Sequence, residues 1–429
     1  SLRFTSLHFT SLYFTLLYFT LLYFTYLLTL LTVAFAAWCL AAWLAGSLAG
    51  QSAIGVIRTD SPTGDVDAHN LVFSWCASHK VRIKMADIKN AYLQGKEVDR
   101  VILYRIPKGG IPECGIKEGA VIAARVPIYG TKDAGRGFWL KLTEVITSKG
   151  YVLNRILPTM FTLRKDGDIH AVMSTNVDDL LYGCLPESEK EMEEILETFD
   201  VREQAEEDFR FCGKEIHQNK DYSIKVTAKD NVEKIKPIVI GKNRRPNDRN
   251  TKEETTALRS VVASLSWVAR QVRPQLSYPV SKLQTVAGNG TIKDIRTANI
   301  LLEAAQAKSD EGLFYASEGI DWNDMIVLSV TDASFGGEHE IVQGIKEGDR
   351  SQQGYVICLA PPDAANASQM IVHPICWSST VIKRVCRSTL MAETFAIIRG
   401  TETGCRIRAA IVDMKDKLVR IAYDNEASR

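Results

Sequence analysis

The sequence predicts an α+β protein: a β-rich region, then a helical segment, then a second region of strands around one helix. Three observations predict it. Period-2 apolar alternation ends on an acidic residue near Asp87, and two β-prone runs flank Asp178 and Asp179. A long amphipathic pattern fills residues 257–274. After about residue 320 the order of elements reads βββαβ. The 429 residues suffice for two or three domains, and 46% hydrophobic with 24% charged residues is ordinary for a folded protein. A net charge of +1 announces no global basic field, though a local groove can be basic in a neutral protein. Nine cysteines without a CxxC pair exclude a disulfide framework and a zinc ribbon, and point to reduced, intracellular thiols.

Residues 1–25 are five pentapeptides, SLRFT, SLHFT, SLYFT, LLYFT and LLYFT, followed by Leu-, Ala- and Trp-rich sequence to residue 50. A period of five fits neither a helix nor a strand and is what a translated DNA repeat would give. Residues 27–48 are also long and apolar enough for a membrane span. A cleavable signal peptide fits less well, because the apolar stretch exceeds the usual core of one. Both main readings, functionally empty repeat and membrane segment, stand at this point. The chain starts on Ser1 and stops after "AYDNEASR", which reads as part of a longer frame.

"VRIKMADI" (81–88) puts Val81, Ile83, Met85 and Asp87 on one strand face. "RGFWLKLTEVITSKG" (136–150) reads as a helix with Gly150 as its C-terminal glycine. "STNVDDLLYG" (174–183) is a tight hairpin with Asp178 and Asp179 at its tip. "PESEKEMEEILETFDV" (186–201) is a second helix, residues 241–256 a polar connecting loop, and residues 257–274 a third helix stopped by Pro274. Beyond residue 320, "DMIVLSVTDASFGG" is a strand ending at Asp332, and "GYVICLAP" and "HPICWSS" are two more. Residues 389–414 are a helix carrying Glu393, and "LVRIAYDNEAS" is a strand ending at Asp424.

Two sets of carboxylates emerge. Asp87, Asp178 and Asp179 form the first, and Asp332, Glu393 and Asp424 the second. A lone Asp in a turn is usually a solvated turn residue. Three carboxylates at element ends repel one another and raise a pKa unless a cation joins them. Mg²⁺ takes such oxygen ligands, and a pair of ions can serve both the attacking and leaving oxygens of phosphoryl transfer.

"MADIKNAYLQG" (85–95), "VPIYGTKDAGRGFW" (126–139) and "NVDDLLYG" (176–183) resemble the reverse transcriptase motifs of copia-type LTR retrotransposons, D-(V/I)-K-x-A-(F/Y)-L-x-G, L-Y-G-L-K-Q-A-P-R-x-W and Y-V-D-D. Residues 258–283 resemble that family's stretch ending R-P-D-I, and "ICWSSTVIKRVCRSTLMAETFAI" (375–397) its ribonuclease H segment. The match runs in order from about residue 57 to the C-terminus.

The resemblance implies a reverse transcriptase palm and partial fingers over 51–240, a thumb or connection over 241–318, and a truncated α/β ribonuclease H-like domain over 319–429, behind the apolar segment 1–50. It implies that Asp87, Asp178 and Asp179 hold Mg²⁺, or Mn²⁺, for attack of a primer 3′-hydroxyl on a dNTP. Tyr92 would lie under the incoming sugar, where an aromatic core residue is the plain alternative. Lys132 and Arg136 would meet phosphate or template, or else be surface cations. Asp332, Glu393 and Asp424 would hold the metal that cuts RNA in an RNA–DNA hybrid. Partners are then an RNA template, a DNA primer, the hybrid and dNTPs, in a cytoplasmic particle or the nucleus.

Four departures qualify the match. Asn176 stands where the family has Tyr, and the K-A-R-L-V strand of the fingers is missing upstream. The chain ends five residues after Asp424, and residues 336–354 make a long loop after Asp332. No protease, integrase or zinc-knuckle motif occurs. A catalytically inactive remnant and a membrane-anchored, non-catalytic binding protein are the alternative readings.

Overall fold

A computed structural model describes residues 58–97, 100–336, 341–342, 345–346, 350–364, 367–416 and 420–425. The chain divides into two compact units, 1–58 and 59–429, and the described elements all belong to the second. The apolar run 27–48 lies outside the described residues. Among the described residues no helix is long and apolar enough to cross a membrane.

The second unit begins with helix α1 (Val66–Ser78), whose N-cap Asp65 accepts a hydrogen bond from the Asp67 N–H. Nearly every residue of α1 is buried, so it is a core helix wedged between layers. Strand β1 (Lys84–Ile88) follows, then a 3₁₀ turn (Ala91–Gln94) and a separate ribbon of β2 (Ile102–Arg105) and β3 (Val121–Ala124). Helix α2 (Ala134–Ser148) ends as the sequence predicts, with Gly150 at φ +87° just beyond its cap. Strands β4 (Tyr151–Leu153), β5 (Met160–Lys165), β6 (Asp168–Asn176) and β7 (Asp179–Cys184) form a meander. Helix α3 (Glu189–Leu196) and β8 (Val201–Glu206) complete a six-stranded sheet in the order β4-β5-β6-β7-β1-β8.

The helix expected over 186–201 is shorter. A 3₁₀ turn occupies Pro186–Ser188, α3 stops at Leu196, and Val201 already opens β8. The predicted apolar face survives: Met192, Ile195, Leu196 and Phe199 are all buried against α2 and the sheet. β8 wins the C-terminal residues because it hydrogen-bonds along β1 from Ile88 to Lys84.

A four-stranded sheet follows, of β9 (Asp208–Phe211), β10 (Lys214–Gln218), β11 (Ile224–Thr227) and, later, β12 (Leu313–Tyr315). Between β11 and β12 lie α4 (Lys229–Glu233), α5 (Lys252–Gln271), α6 (Ser277–Val286) and α7 (Ile292–Ala307). α5 starts five residues before the predicted helix and takes residues 252–256 from the expected loop. The cause is a capping box: Thr251 Oγ1 accepts from the Glu254 N–H, and the Glu254 carboxylate accepts from the Thr251 N–H.

The last sheet contains β13 (Ile326–Ser334), β16 (Gln352–Ala360), β17 (His373–Val381) and β18 (Arg420–Asn425), in the order β17-β16-β13-β18. A short ribbon, β14 (Ile341–Val342) with β15 (Ile345–Lys346), sits in the long loop. Helix α8 (Thr389–Lys415) connects β17 to β18, which runs parallel to β13. The predicted βββαβ order holds. β13 continues two residues past Asp332, and β18 one residue past Asp424.

This sheet shares its core with α1. Asn70 Nδ2 donates to the Ile375 carbonyl at 2.9 Å, and Ser74 Oγ bonds His373 Nδ1 at 2.8 Å. The Trp377 indole donates to the Ala269 carbonyl on α5 at 2.8 Å. Apolar residues of α1, α5, β16, β17 and α8 belong to one continuous cluster. α1 is thus the common post on which the first and last sheets are built.

Candidate active site

The strand order β6-β7-β1 assembles the first carboxylate set. Asn176 stands opposite Asp179, and Asp179 stands opposite Asp87. Directly paired residues share a sheet face, so the three form one cross-strand row. The loop between β6 and β7 is only Val177 and Asp178. Val177 has φ +58° and Asp178 does not share the positive sign, the sign pattern of a type II′ turn. A two-residue turn of this hand matches the strand twist, but a β-branched residue in that conformation is strained. The Ile88 N–H donates to the Asp178 carbonyl at 2.9 Å and ties the loop to β1.

The electrostatics follow from burial and crowding. Asp87 is 7% exposed, and its carboxylate accepts a hydrogen bond from the Arg202 guanidinium on β8. Burial pushes the Asp178 carboxyl up, and the Asp87 charge adds to it. Asp179 rises to about 6, first through burial and then through the charges of Asp178 and Asp87. Glu203 on β8 pairs directly with Asp87 and extends the acidic row.

Among the described residues, no group of three or more His, Cys, Asp and Glu side chains gathers closely enough to hold a metal ion. Arg202 supplies the positive charge at Asp87. The donor set itself suits a hard divalent cation: it is all carboxylate, partly desolvated and mutually repelling.

The residues expected around the nucleotide fall into three situations. Tyr92 lies on the 3₁₀ turn after β1, its ring 4.7 Å from that of Tyr129. Burial and the nearby Asp178 charge hold the Tyr129 hydroxyl proton more firmly. Lys132 is exposed in the loop before α2. Arg136, in the first turn of α2, pairs with the Asp60 carboxylate at 2.5 Å.

The second set is less closely gathered. Asp332 is exposed near the end of β13, and Glu393 is buried in the first half of α8. Asp424 lies on β18 opposite Val330. A Cβ added at Gly400 on α8 would sit 2.2 Å from Thr331 Cγ2 and 3.0 Å from Ser329 Oγ. α8 therefore covers the Ser329–Thr331 face of β13, and strand alternation turns Asp332 away from it. No ladder pair joins two acids of this set.

Arg202, Glu203 and Gly64 were not legible as site residues. Arg202 and Glu203 sit in a charged run, "DVREQAEED", that looks like any solvated strand edge. Gly64 is isolated in sequence, and only the fold brings it beside Asn176.

The family model for reverse transcriptase (RNA-dependent DNA polymerase) matches residues 46–241, the stretch that holds the acidic row. The Retrovirus-related Pol polyprotein from transposon RE1 of Arabidopsis thaliana is 25% identical over 377 residues, covering 85% of this chain and 24% of that protein. That from transposon RE2 of the same plant is 25% identical over 350 residues, covering 78% and 22%. The chain thus spans about a quarter of the length of these relatives. Residues 46–241 are thus similar to a reverse transcriptase domain, and most of the chain is similar to part of two retrotransposon Pol polyproteins.

Proposed function

We propose that the chain is an RNA-directed DNA polymerase of the copia type, extending a DNA primer on an RNA template at the row formed by Asp87, Asp178 and Asp179. The observation that carries this reading is the register: Asp87 directly opposite Asp179, with Asp178 one residue away in a two-residue turn. In this reading the six-stranded sheet is the palm, the β2–β3 ribbon belongs to the fingers, and α5–α7 form the thumb or connection. Asp87, Asp178 and Asp179 would hold two Mg²⁺ ions, or Mn²⁺. Bound there, the ions would supply charge stabilisation for the displacement of pyrophosphate from a dNTP. The chain's own part is to fix the carboxylates on paired strands, with Tyr92 beneath the sugar and Lys132 near phosphate. Arg136 reaches phosphate only by leaving Asp60.

The last sheet with α8 is proposed as a ribonuclease H-like layer acting on the RNA–DNA hybrid through Asp332, Glu393 and Asp424. Its support is the βββαβ order with a parallel β18 beside β13.

Primer extension by the full chain, on an RNA template with Mg²⁺ and dNTPs, tests the polymerase reading. Incorporation is expected and is expected to vanish in Asp178→Asn. Unchanged incorporation in that variant would overturn the site. No incorporation from a folded wild-type chain would leave the remnant reading, which the Arg202–Asp87 pair favours.

A further inference from the structure

Asn176 is where this chain departs from its family's motif, and the structure gives the residue specific partners. Its Oδ1 accepts a hydrogen bond from the Gly64 N–H at 3.1 Å. Asn176 stands directly opposite Asp179 in the β6–β7 ladder, where its side chain acts to lower the Asp179 carboxyl. The Gly64 N–H fixes the amide's orientation, because it can only donate to Oδ1, and this leaves Nδ2 as the donor for the carboxylate opposite. Asn176 therefore stands between a backbone N–H on one side and an acid of the site on the other.

The contact with Gly64 has a steric counterpart. A Cβ added at Gly64 would lie 2.8 Å from Asn176 Cβ, 2.8 Å from His69 Nε2 and 3.0 Å from Asn176 Oδ1. Only glycine lets this stretch of backbone approach the Asn176 and His69 side chains this closely. Gly64 itself is held firmly, because it immediately precedes the N-cap of α1. That helix is buried along its length and bonded to β17 through Asn70 and Ser74. The hairpin tip is thus tethered to a helix buried along nearly its whole length.

We propose that Asn176, seated against Gly64, is a positioning residue that orients the Asp179 carboxylate for a divalent cation. The inference rests on the metal-binding role proposed above for Asp87, Asp178 and Asp179. Hydrogen bonds to ligating carboxylates fix their orientation, and loss of such a partner typically weakens metal affinity by about 10–100-fold.

Mn²⁺ binding to the full chain, followed by electron paramagnetic resonance of the free ion, tests it beside thermal melting of each variant. Asp179→Asn is expected to remove the tight Mn²⁺ site. Asn176→Ala is expected to weaken binding by about 10-fold. Gly64→Ala displaces the same contact from the other side and is expected to weaken binding similarly. The double variant is expected to be no weaker than about the worse single, because both changes break one interaction. Affinity in both Asn176→Ala and Gly64→Ala within about twofold of wild type, with Asp179→Asn still losing the site, would overturn the positioning role alone. A lowered melting temperature with unchanged affinity would mark a merely structural contact and overturn it too. Wild-type binding that Asp179→Asn leaves intact would overturn both this role and the metal site beneath it.

Discussion

The first sheet and the last sheet with its helix α8 each hold one of the two sets of three acids, but they gather them differently. In the first, two acids face each other across a single ladder and the third sits in the connecting turn. In the last, the acids are distributed over a strand, a helix and a second strand, and no two are ladder partners. The β6–β7 hairpin brings Asp178 and Asp179 to one turn from local sequence, and β1 then adds Asp87 by pairing with β7, whereas a parallel β18 beside β13 needs a long helical crossover first. The first set is therefore tied to backbone register. The second depends on how α8 seats against β13.

The sharpest way to break this comparison is to inactivate the two sets separately. Asp178→Asn is expected to abolish incorporation and leave cleavage of a preformed RNA–DNA hybrid intact. Asp332→Asn is expected to do the reverse. Each loss should exceed about 100-fold, the scale seen when a group stabilising transition-state charge is removed. Hybrid cleavage that survives Asp332→Asn would remove the last sheet's acids from the catalytic account and leave the comparison without its second member.

How much of this was legible in the sequence differs between the two regions for the same reason. The hairpin was readable because "STNVDDLLYG" carries its own turn and both strands. The pairing of β1 with β7 was expected only as a juxtaposition. The residue-for-residue opposition of Asp87 and Asp179 comes from the register that the buried Met85 and Leu181 share. Arg202 was hidden because a cation in a charged strand gives no periodic signal. The start of α5 was missed although the Thr251–Glu254 box was present, since polar residues 241–256 masked it. Asn176 stood out as a departure, but its bond to Gly64 spans 112 residues, and such a contact has no local trace.

A smaller effect concerns packing, where the two regions are alike. A Cβ at Gly183 on β7 would lie 2.3 Å from Cys76 Sγ on α1, just as one at Gly400 on α8 would meet Thr331. Helix and sheet touch backbone to side chain at both places. Gly183→Ala and Gly400→Ala are each expected to cost about 1–3 kcal/mol in chemical denaturation, as overpacked sites do. Because α1 and α8 share one core, either change should shift a single transition rather than split it. Two separated transitions in Gly400→Ala would mean that the last sheet unfolds independently of α1.

The smallest effect is electrostatic and belongs to the first region. Asp179 has its folded-state pKa raised to about 6, from an ordinary carboxylate value near 3.8. Between those values the folded chain binds more protons than the unfolded chain, so stability falls as pH rises through that window. Below about 4 the carboxyl is protonated in both states and the effect is absent; above about 6 it is complete. The group is only partly buried, and solvent screening reduces the difference to about 1 kcal/mol. Asp179→Asn removes the titrating group, so the metal-free variant is expected to gain on wild type as pH rises from about 4 to about 6. Saturating Mn²⁺ should erase that gain, because the cation binds the ionised carboxylates and stabilises the folded state by mass action. Parallel stability profiles for wild type and Asp179→Asn would mean that the acidic row stores no repulsion, and that register alone distinguishes it from the acids of the last sheet.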